Sequence, residues 1–108
     1  MSIAELVMGM EQEEQEFETT FWADFSIADR FGASAVRDTF NRAFQEWRDD
    51  YRYLTDLVMV LNHKIWQHYE QKNAVLQGVY DDLYWQAVKY AEDNLKGDEL
   101  SYYYRMTD

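Results

Sequence analysis

Apolar side chains recur with helical spacing in three consecutive segments of this chain. The first stripe consists of Val36, Phe40, Ala43, Phe44 and Trp47. The second consists of Leu54, Leu57, Val58, Leu61, Ile65, Trp66 and Tyr69, and the third of Leu76, Val79, Tyr80, Leu83, Ala87, Tyr90, Ala91 and Leu95. The pattern predicts amphipathic helices over 34–50, 52–70 and 73–96. Their short connections predict that neighbouring helices are antiparallel.

The distribution of Gly and Pro supports a helical fold. Pro is absent and Gly occurs four times, whereas the turns of an all-β protein depend on both residues. Gly32 is expected to end one helical piece and Ser34 to cap the next helix. Gly97 is expected to close the third helix.

The N-terminal third is harder to assign. Ser26 to Asp29 resembles a capping box that opens a short helix ending at Gly32, and Ser2 to Glu5 resembles another. Residues 11–18 have good helix propensity, but their like charges oppose a helix. We therefore expect a frayed or conditionally helical arm, and we divide the chain into an acidic arm, 1–19, and a bundle domain, 20–108.

The predicted fold class is all-α, a compact antiparallel bundle of three main helices with one or two shorter N-terminal helices. The tail from residue 100 is either a last helical turn or an extended segment. The predicted core consists of Phe40, Phe44, Trp47, Leu54, Leu57, Val58, Leu61, Ile65, Leu76, Val79, Leu83, Ala87 and Leu95, with Trp22 and Phe25 closing one end. Thr55 is expected to lie outside the apolar stripe.

Composition limits the class of protein. With 108 residues the chain is expected to form one domain, and an aromatic content of 18% is too high for intrinsic disorder. Cys is absent, which suits a reducing compartment. The sequence has neither an 18-residue apolar run nor the basic start of a signal peptide. These features predict a cytoplasmic protein without a membrane partner.

Negative charge is concentrated at one end. The formal net charge is −11, and the first 29 residues hold eight carboxylates and no Lys or Arg. Such a charge distribution repels nucleic acid and attracts basic surfaces. It bears on the choice of partner rather than on the fold.

No pattern predicts catalysis, a metal site or a cofactor. His63 and His68 differ in direction by roughly 140° on a helix, so they cannot grip one metal ion together and are interpreted as boundary residues. Neither Asp49–Asp50 nor Asp81–Asp82 forms an acid/base pair by spacing alone, because adjacent helical residues point about 100° apart. We expect a protein that is not an enzyme.

Direct binding of nucleic acid is also disfavoured. The Tyr triplet at 102–104 could stack bases, but such sites need a positively charged groove. Arg37, Arg42 and Arg48 lie on the second helix of a helix-turn-helix-like pair around Gly32, yet pairing with acidic neighbours on the surface accounts for them. The tail is expected to pack on the bundle or on a second copy.

Three stretches, Thr20–Gly32, Arg37–Trp47 and Leu57–Trp66, together with the end at 97–105, resemble a family of small acidic proteins from phages and conjugative elements of gut bacteria. The resemblance covers about residues 20–106, and residues 1–16 lie outside it. It implies an accessory protein of a mobile element. The family has no agreed biochemical function.

Two functional hypotheses follow. In the first, the chain mimics nucleic acid and inhibits a host defence nuclease of the restriction or CRISPR type by occupying its basic channel. The expected contacts are Glu11, Glu13, Glu14, Glu16, Glu18, Asp24, Asp49, Asp50, Asp81 and Asp82. The competing interpretation of the Glu-rich run is a solubilising arm without a partner.

The second hypothesis is a structural or adaptor bundle that binds a protein partner, or itself as a homodimer, through an aromatic face. It is motivated by Tyr residues beyond what the three stripes can bury. These are Tyr51, Tyr53, Tyr84, Tyr102, Tyr103 and Tyr104.

Overall fold

The structure is a computed structural model that describes residues 12–107, with side chains from Phe21 onward, and its regular elements in this range are all helices. They are α1 (Gln12–Asp29), α2 (Ala33–Trp47), α3 (Tyr51–Glu70), α4 (Ala74–Asn94) and α5 (Asp98–Thr107). The predicted all-α class is confirmed.

The α3–α4 pair forms the most extensive helix contact, and α1 packs against both α2 and α3. α5 lies mainly on α3 and buries Tyr103. α2 also contacts α4: Arg37 pairs with Asp82, and further along both helices Phe44 packs edge-on against Tyr90 at a centroid distance of 5.0 Å. α2 and α4 therefore run in the same direction, separated in sequence by α3.

The helix starts use local hydrogen bonds. The Asp50 side chain caps α3 by accepting from the backbone N–H of Arg52, and the Asn73 side chain caps α4 by accepting from Leu76. The predicted cap of α2 by Ser34 was wrong. Gly32 holds the N-cap position without a side-chain bond, and its carbonyl accepts from Val36.

The N-terminal prediction needs correction. Residues 26–29 do not open a new helix, because a single 18-residue helix runs from Gln12 to Asp29. Phe21, Phe25 and Ala28 share one buried face of it, and burying this face stabilises a continuous helix. The arrangement of three main helices plus shorter N-terminal ones is thus not confirmed. The proposed division at residue 19 falls inside α1 and stays a prediction.

The predicted core is largely confirmed at α3 and α4. Phe44, Trp47, Ile65 and Trp22 are only half-buried and pack around the edge of the core. The buried members of the predicted set are Phe25, Phe40, Leu54, Leu57, Val58, Leu61, Leu76, Val79, Leu83, Ala87 and Leu95.

The predicted apolar stripe of α3 does not coincide with the buried face of the helix. Trp66 and Tyr69 are 58% and 59% exposed, whereas Thr55, Lys64 and His68 are buried. The Thr55 hydroxyl donates to the carbonyl of Tyr51, which satisfies it inside the helix. A polar side chain with a local acceptor can therefore occupy a buried position that the hydropathy pattern assigns to the surface.

The α1–α2 turn provides a test of backbone strain. Gly32 has φ 104° and ψ −170°, a region essentially restricted to Gly. Gly32→Ala should lower the free energy of unfolding by about 1–3 kcal/mol, although a Cβ there would meet no atom within 4 Å. The matched control is Gly78→Ala at an exposed position of α4, which should raise stability by about 0.5–1 kcal/mol. Urea unfolding measures the stability of both variants. Equal changes in the free energy of unfolding would contradict the conclusion that the backbone at Gly32 requires Gly.

Candidate functional site

One carboxylate joins three helices at the end of α1. The Asp29 Oδ2 atom accepts from Lys64 Nζ at 3.0 Å and from His68 Nε2 at 3.1 Å, both on α3. Its Oδ1 atom accepts from the Tyr80 hydroxyl on α4 at 2.5 Å. The His68 and Tyr80 rings stack at 5.3 Å beside these bonds. The group Asp29, Lys64, His68 and Tyr80 is called the Asp29 cluster below.

Lys64 is fully buried, and each of its ammonium protons has an acceptor. Besides Asp29, Nζ donates to Ser26 Oγ at 2.7 Å and to Gln67 Oε1 at 3.0 Å. The ammonium also lies 4.1 Å from the centre of the Trp22 ring, within the range of a cation–π contact. A Lys side chain is almost never fully buried unless it is paired in this way.

The contacts of the cluster hold three helices together. Lys64 Nζ donates three hydrogen bonds to acceptors within the fold and lies beside a carboxylate. Burial first, and then the hydrogen bond to Asp29, raise the pKa of Tyr80 above its usual value. Its hydroxyl therefore stays a neutral donor. We interpret the cluster as the polar attachment of α1 to α3 and α4.

Sequence reasoning missed this cluster. The sequence pattern assigns Asp29 to a capping box and His68 to the boundary of the bundle, but His68 is buried. The signal was present on α3, where Leu57, Leu61, Lys64 and His68 follow i, i+4, i+7, i+11. Lys64 and His68 thus continue an apolar stripe, and two polar residues at such positions indicate a buried polar network.

A groove of about 1000 Å³ separates α1 from α2. Its exposed edge carries Asp24 on α1 with Asp38, Asn41, Arg42 and Glu46 on α2. Two large apolar side chains at its mouth, Ile27 and Phe31, are 57% and 78% exposed. The buried or half-buried lining consists of Phe21, Ala28, Ala35, Thr39, Ala43 and Trp47. This surface is called the α1–α2 groove.

Among the predicted contact residues whose side chains the structure describes, Asp24 borders the α1–α2 groove. Glu13, Glu14, Glu16 and Glu18 belong to α1, upstream on the same helix. Glu11 lies outside the described residues.

The other four predicted aspartates do not form one patch. Asp50 caps α3, Asp49 accepts from the Tyr90 hydroxyl, and Asp82 pairs with Arg37 at 3.3 Å. Asp82 and Tyr90, the partner of Asp49, lie eight residues apart on α4, roughly 12 Å along its axis. Asp81 is exposed. Three of the four thus have structural partners that a competing surface would have to displace.

The Tyr residues assigned to an aromatic interface mostly pack within the chain. Of the six, Tyr104 alone is exposed. Tyr51 packs edge-on against Tyr102 at 5.2 Å, and Tyr103 is buried. Exposed aromatic surface lies instead on α3, where Trp66 and Tyr69 pack edge-on at 5.8 Å, at Trp85 on α4 and at Phe31 between α1 and α2.

The arginines of α2 and its C-terminal cap have other partners than the acidic neighbours predicted from the sequence. Arg37 pairs with Asp82 of α4 rather than with a neighbour on its own helix. The Arg48 guanidinium lies 5.9 Å from the ring centres of both Phe44 and Tyr90. Arg42 lines the α1–α2 groove.

Within residues 21–107, where side chains are described, no group of three or more His, Asp or Glu side chains is placed to hold a metal ion. None of the helices in that range combines the length and apolarity needed to cross a membrane.

Comparisons with protein-family models, with curated proteins and with solved structures each find no match. The resemblance to a mobile-element family therefore stays an expectation.

Replacing Lys64 tests the Asp29 cluster. Lys64→Met should lower the free energy of unfolding by about 3 kcal/mol, because it leaves the largely buried Asp29 carboxylate without its cation. The control is Lys89→Met, an exposed position on α4, which should change stability by less than about 0.5 kcal/mol. Both are measured by urea unfolding. A loss below about 1 kcal/mol in Lys64→Met would contradict this interpretation.

The raised pKa of Tyr80 predicts alkaline destabilisation. The folded chain holds the Tyr80 proton more tightly than the unfolded chain, in which the pKa of Tyr is about 10. This contribution to stability is complete below pH 10 and is lost as the pH rises above it.

Tyr80→Phe should therefore lower the Tm at pH 8 and reduce the further fall in Tm between pH 9 and 11. Tyr104→Phe, at an exposed position, serves as the control. Thermal unfolding followed by circular dichroism measures both, and parallel pH profiles for the two variants would count against the prediction.

Proposed function

We propose that this chain is a non-enzymatic binding protein that acts through its negative charge on a protein with a basic surface. The supporting observation is that Asp24, Asp38 and Glu46 are exposed around one groove and form no ion pair among the described residues. These carboxylates contribute little to the fold and are available to a partner. The net charge of −11 favours long-range attraction to a basic surface.

Within this class, we favour a nucleic-acid mimic from a mobile element that inhibits a host defence nuclease. A nuclease channel carries Lys and Arg side chains suited to a duplex with one charge per roughly 3.4 Å of each strand. Carboxylates fixed on helices can occupy such a channel and release the same counterions. The mobile-element setting comes from the sequence resemblance, and Asp24 with the Glu-rich part of α1 stays the proposed contact.

A specific observation supports the alternative function, an adaptor bundle with an aromatic interface. Trp66 and Tyr69 lie together on α3 with more than half of each side chain exposed. Aromatic residues are enriched at protein interfaces. If this surface joins two copies, the hydrodynamic mass should rise with concentration, and Trp66→Ser should abolish the rise.

Charge reversal tests the proposed function. The variant Asp24→Lys/Asp38→Lys/Glu46→Lys is compared with Glu70→Lys/Glu92→Lys/Asp93→Lys, which alters the net charge equally at other exposed positions. The assay measures protection of a DNA duplex from a panel of purified restriction and CRISPR nucleases, at 50 and 200 mM salt. We expect the unaltered chain to protect the duplex at 50 mM salt and to lose most of this protection at 200 mM salt. Protection by the Asp24→Lys/Asp38→Lys/Glu46→Lys variant should be at least tenfold weaker, whereas the control variant should protect as well as the unaltered chain.

Equal losses in the two triple variants would show that total charge, rather than this surface, determines the effect. Direct binding of the chain to the duplex would contradict the proposal, because it would explain protection without a protein partner.

A further inference from the structure

We infer that the α1–α2 groove is a docking site for a basic amphipathic helix of a partner protein. This inference rests on the proposed function and specifies its contact surface. It is carried by three features of the groove: a lining of small side chains, exposed apolar residues at its mouth, and an acidic edge.

The lining suits a helix. On α2, Ala35, Thr39 and Ala43 follow one another at intervals of four residues, so small side chains form one row along the helix. A row with this spacing creates the kind of shallow channel into which the side-chain ridge of another helix packs. From Ala35 to Trp47 the channel is roughly 18 Å long, about three helical turns.

The mouth is apolar where solvent reaches it. Phe31 is 78% exposed and Ile27 is 57% exposed, on the α1 side of the groove. Large apolar side chains gathered at a concave surface, with polar residues around them, are typical of an interaction site. An apolar face of an incoming helix would cover both residues, with anchors at i, i+4, i+7 and i+11.

The charge at the edge selects the partner. Asp24, Asp38 and Glu46 against Arg42 leave a formal charge of −2 around the apolar lining. Lys and Arg flanking the apolar face of a helix would meet these carboxylates, which favours basic partners and speeds association.

The same charge argues against two other occupants. Residues 1–11 of the chain include apolar side chains, but their charged groups are Glu5 and Glu11, which the edge would repel. A second copy of the chain also has a net charge of −11, so the acidic edge would repel it too. A basic helix from a different protein is therefore the occupant that fits both the apolar lining and the edge.

The probe is a labelled 18-residue peptide of Leu and Lys with the apolar residues on one helical face. A peptide of the same composition in scrambled order serves as the control. Fluorescence anisotropy with the full chain measures both affinities. We expect the amphipathic peptide to bind at least tenfold more tightly than the scrambled one. Equal affinities would overturn the inference, because charge alone would then explain binding.

Two pairs of variants locate the site. Ala43→Trp fills the groove, and Phe31→Ser removes apolar surface at its mouth. Each should lower the affinity for the amphipathic peptide at least tenfold. Their controls, Ala74→Trp and Val75→Ser, change exposed positions on α4. Their affinities for the peptide should stay within twofold of that of the unaltered chain. Because Phe31 is exposed, its replacement tests the site without disturbing the core. Unchanged affinity in both groove variants would overturn the inference.

Two further outcomes distinguish failure of the groove inference from failure of the proposed function, and a partner helix from the chain's own first residues. If the Asp24→Lys/Asp38→Lys/Glu46→Lys variant loses affinity for both peptides while Ala43→Trp and Phe31→Ser do not, the charge-based function stands and the groove inference fails. If Leu6→Asp/Val7→Asp tightens peptide binding, the groove belongs to the first residues of the chain itself, which also overturns the inference.

Discussion

The position of α1 depends on one largely buried carboxylate. Asp29 is the last residue of α1, where the helix dipole disfavours a negative charge, and it is stabilised there by Lys64 and by donors from His68 and Tyr80. Buried ion pairs add little net stability compared with apolar packing, but breaking one is costly. Such a pair therefore restricts how α1 can sit on α3 and α4. The Trp22 ring and the Ser26 hydroxyl extend the same attachment along α1.

This attachment explains why a groove exists beside it. α1 turns its large apolar side chains Phe21 and Phe25 towards the core and its polar face with Ser26 towards Lys64. α2 meets α1 after a tight turn at Gly32 and presents small side chains, Ala35 and Ala43, on the side facing the groove. Small residues opposite a helix fixed by polar bonds leave unfilled volume between the two helices. The groove thus results from the way α1 is held, and the acidic edge determines what it attracts.

The charged surface divides into two kinds of carboxylate. Asp29, Asp50 and Asp82 have partners that hold helices or helix ends together. Asp24, Asp38 and Glu46 surround the groove without such partners among the described residues. A count of acids in the sequence cannot separate the two kinds, because both add equally to net charge. Only the second kind can serve a partner without loss of stability, which is why the proposed contact surface leaves out Asp49, Asp50 and Asp82 and is centred on the α1–α2 groove.

The sequence alone determined the helical class, the approximate extents of α2, α3 and α4, and most of the core on α3 and α4, because amphipathic periodicity is a local property of the chain. It failed at residues 26–29 and 64–68, where Asp29, Lys64 and His68 are polar residues whose burial requires partners more than 30 residues away. It also failed to place the Tyr residues, since the packing of Tyr51 on Tyr102 depends on where α5 lies. The α1–α2 groove could not be predicted, because it arises from the separation of two helices. That separation is decided by the tertiary bonds of the Asp29 cluster and by the backbone geometry of Gly32.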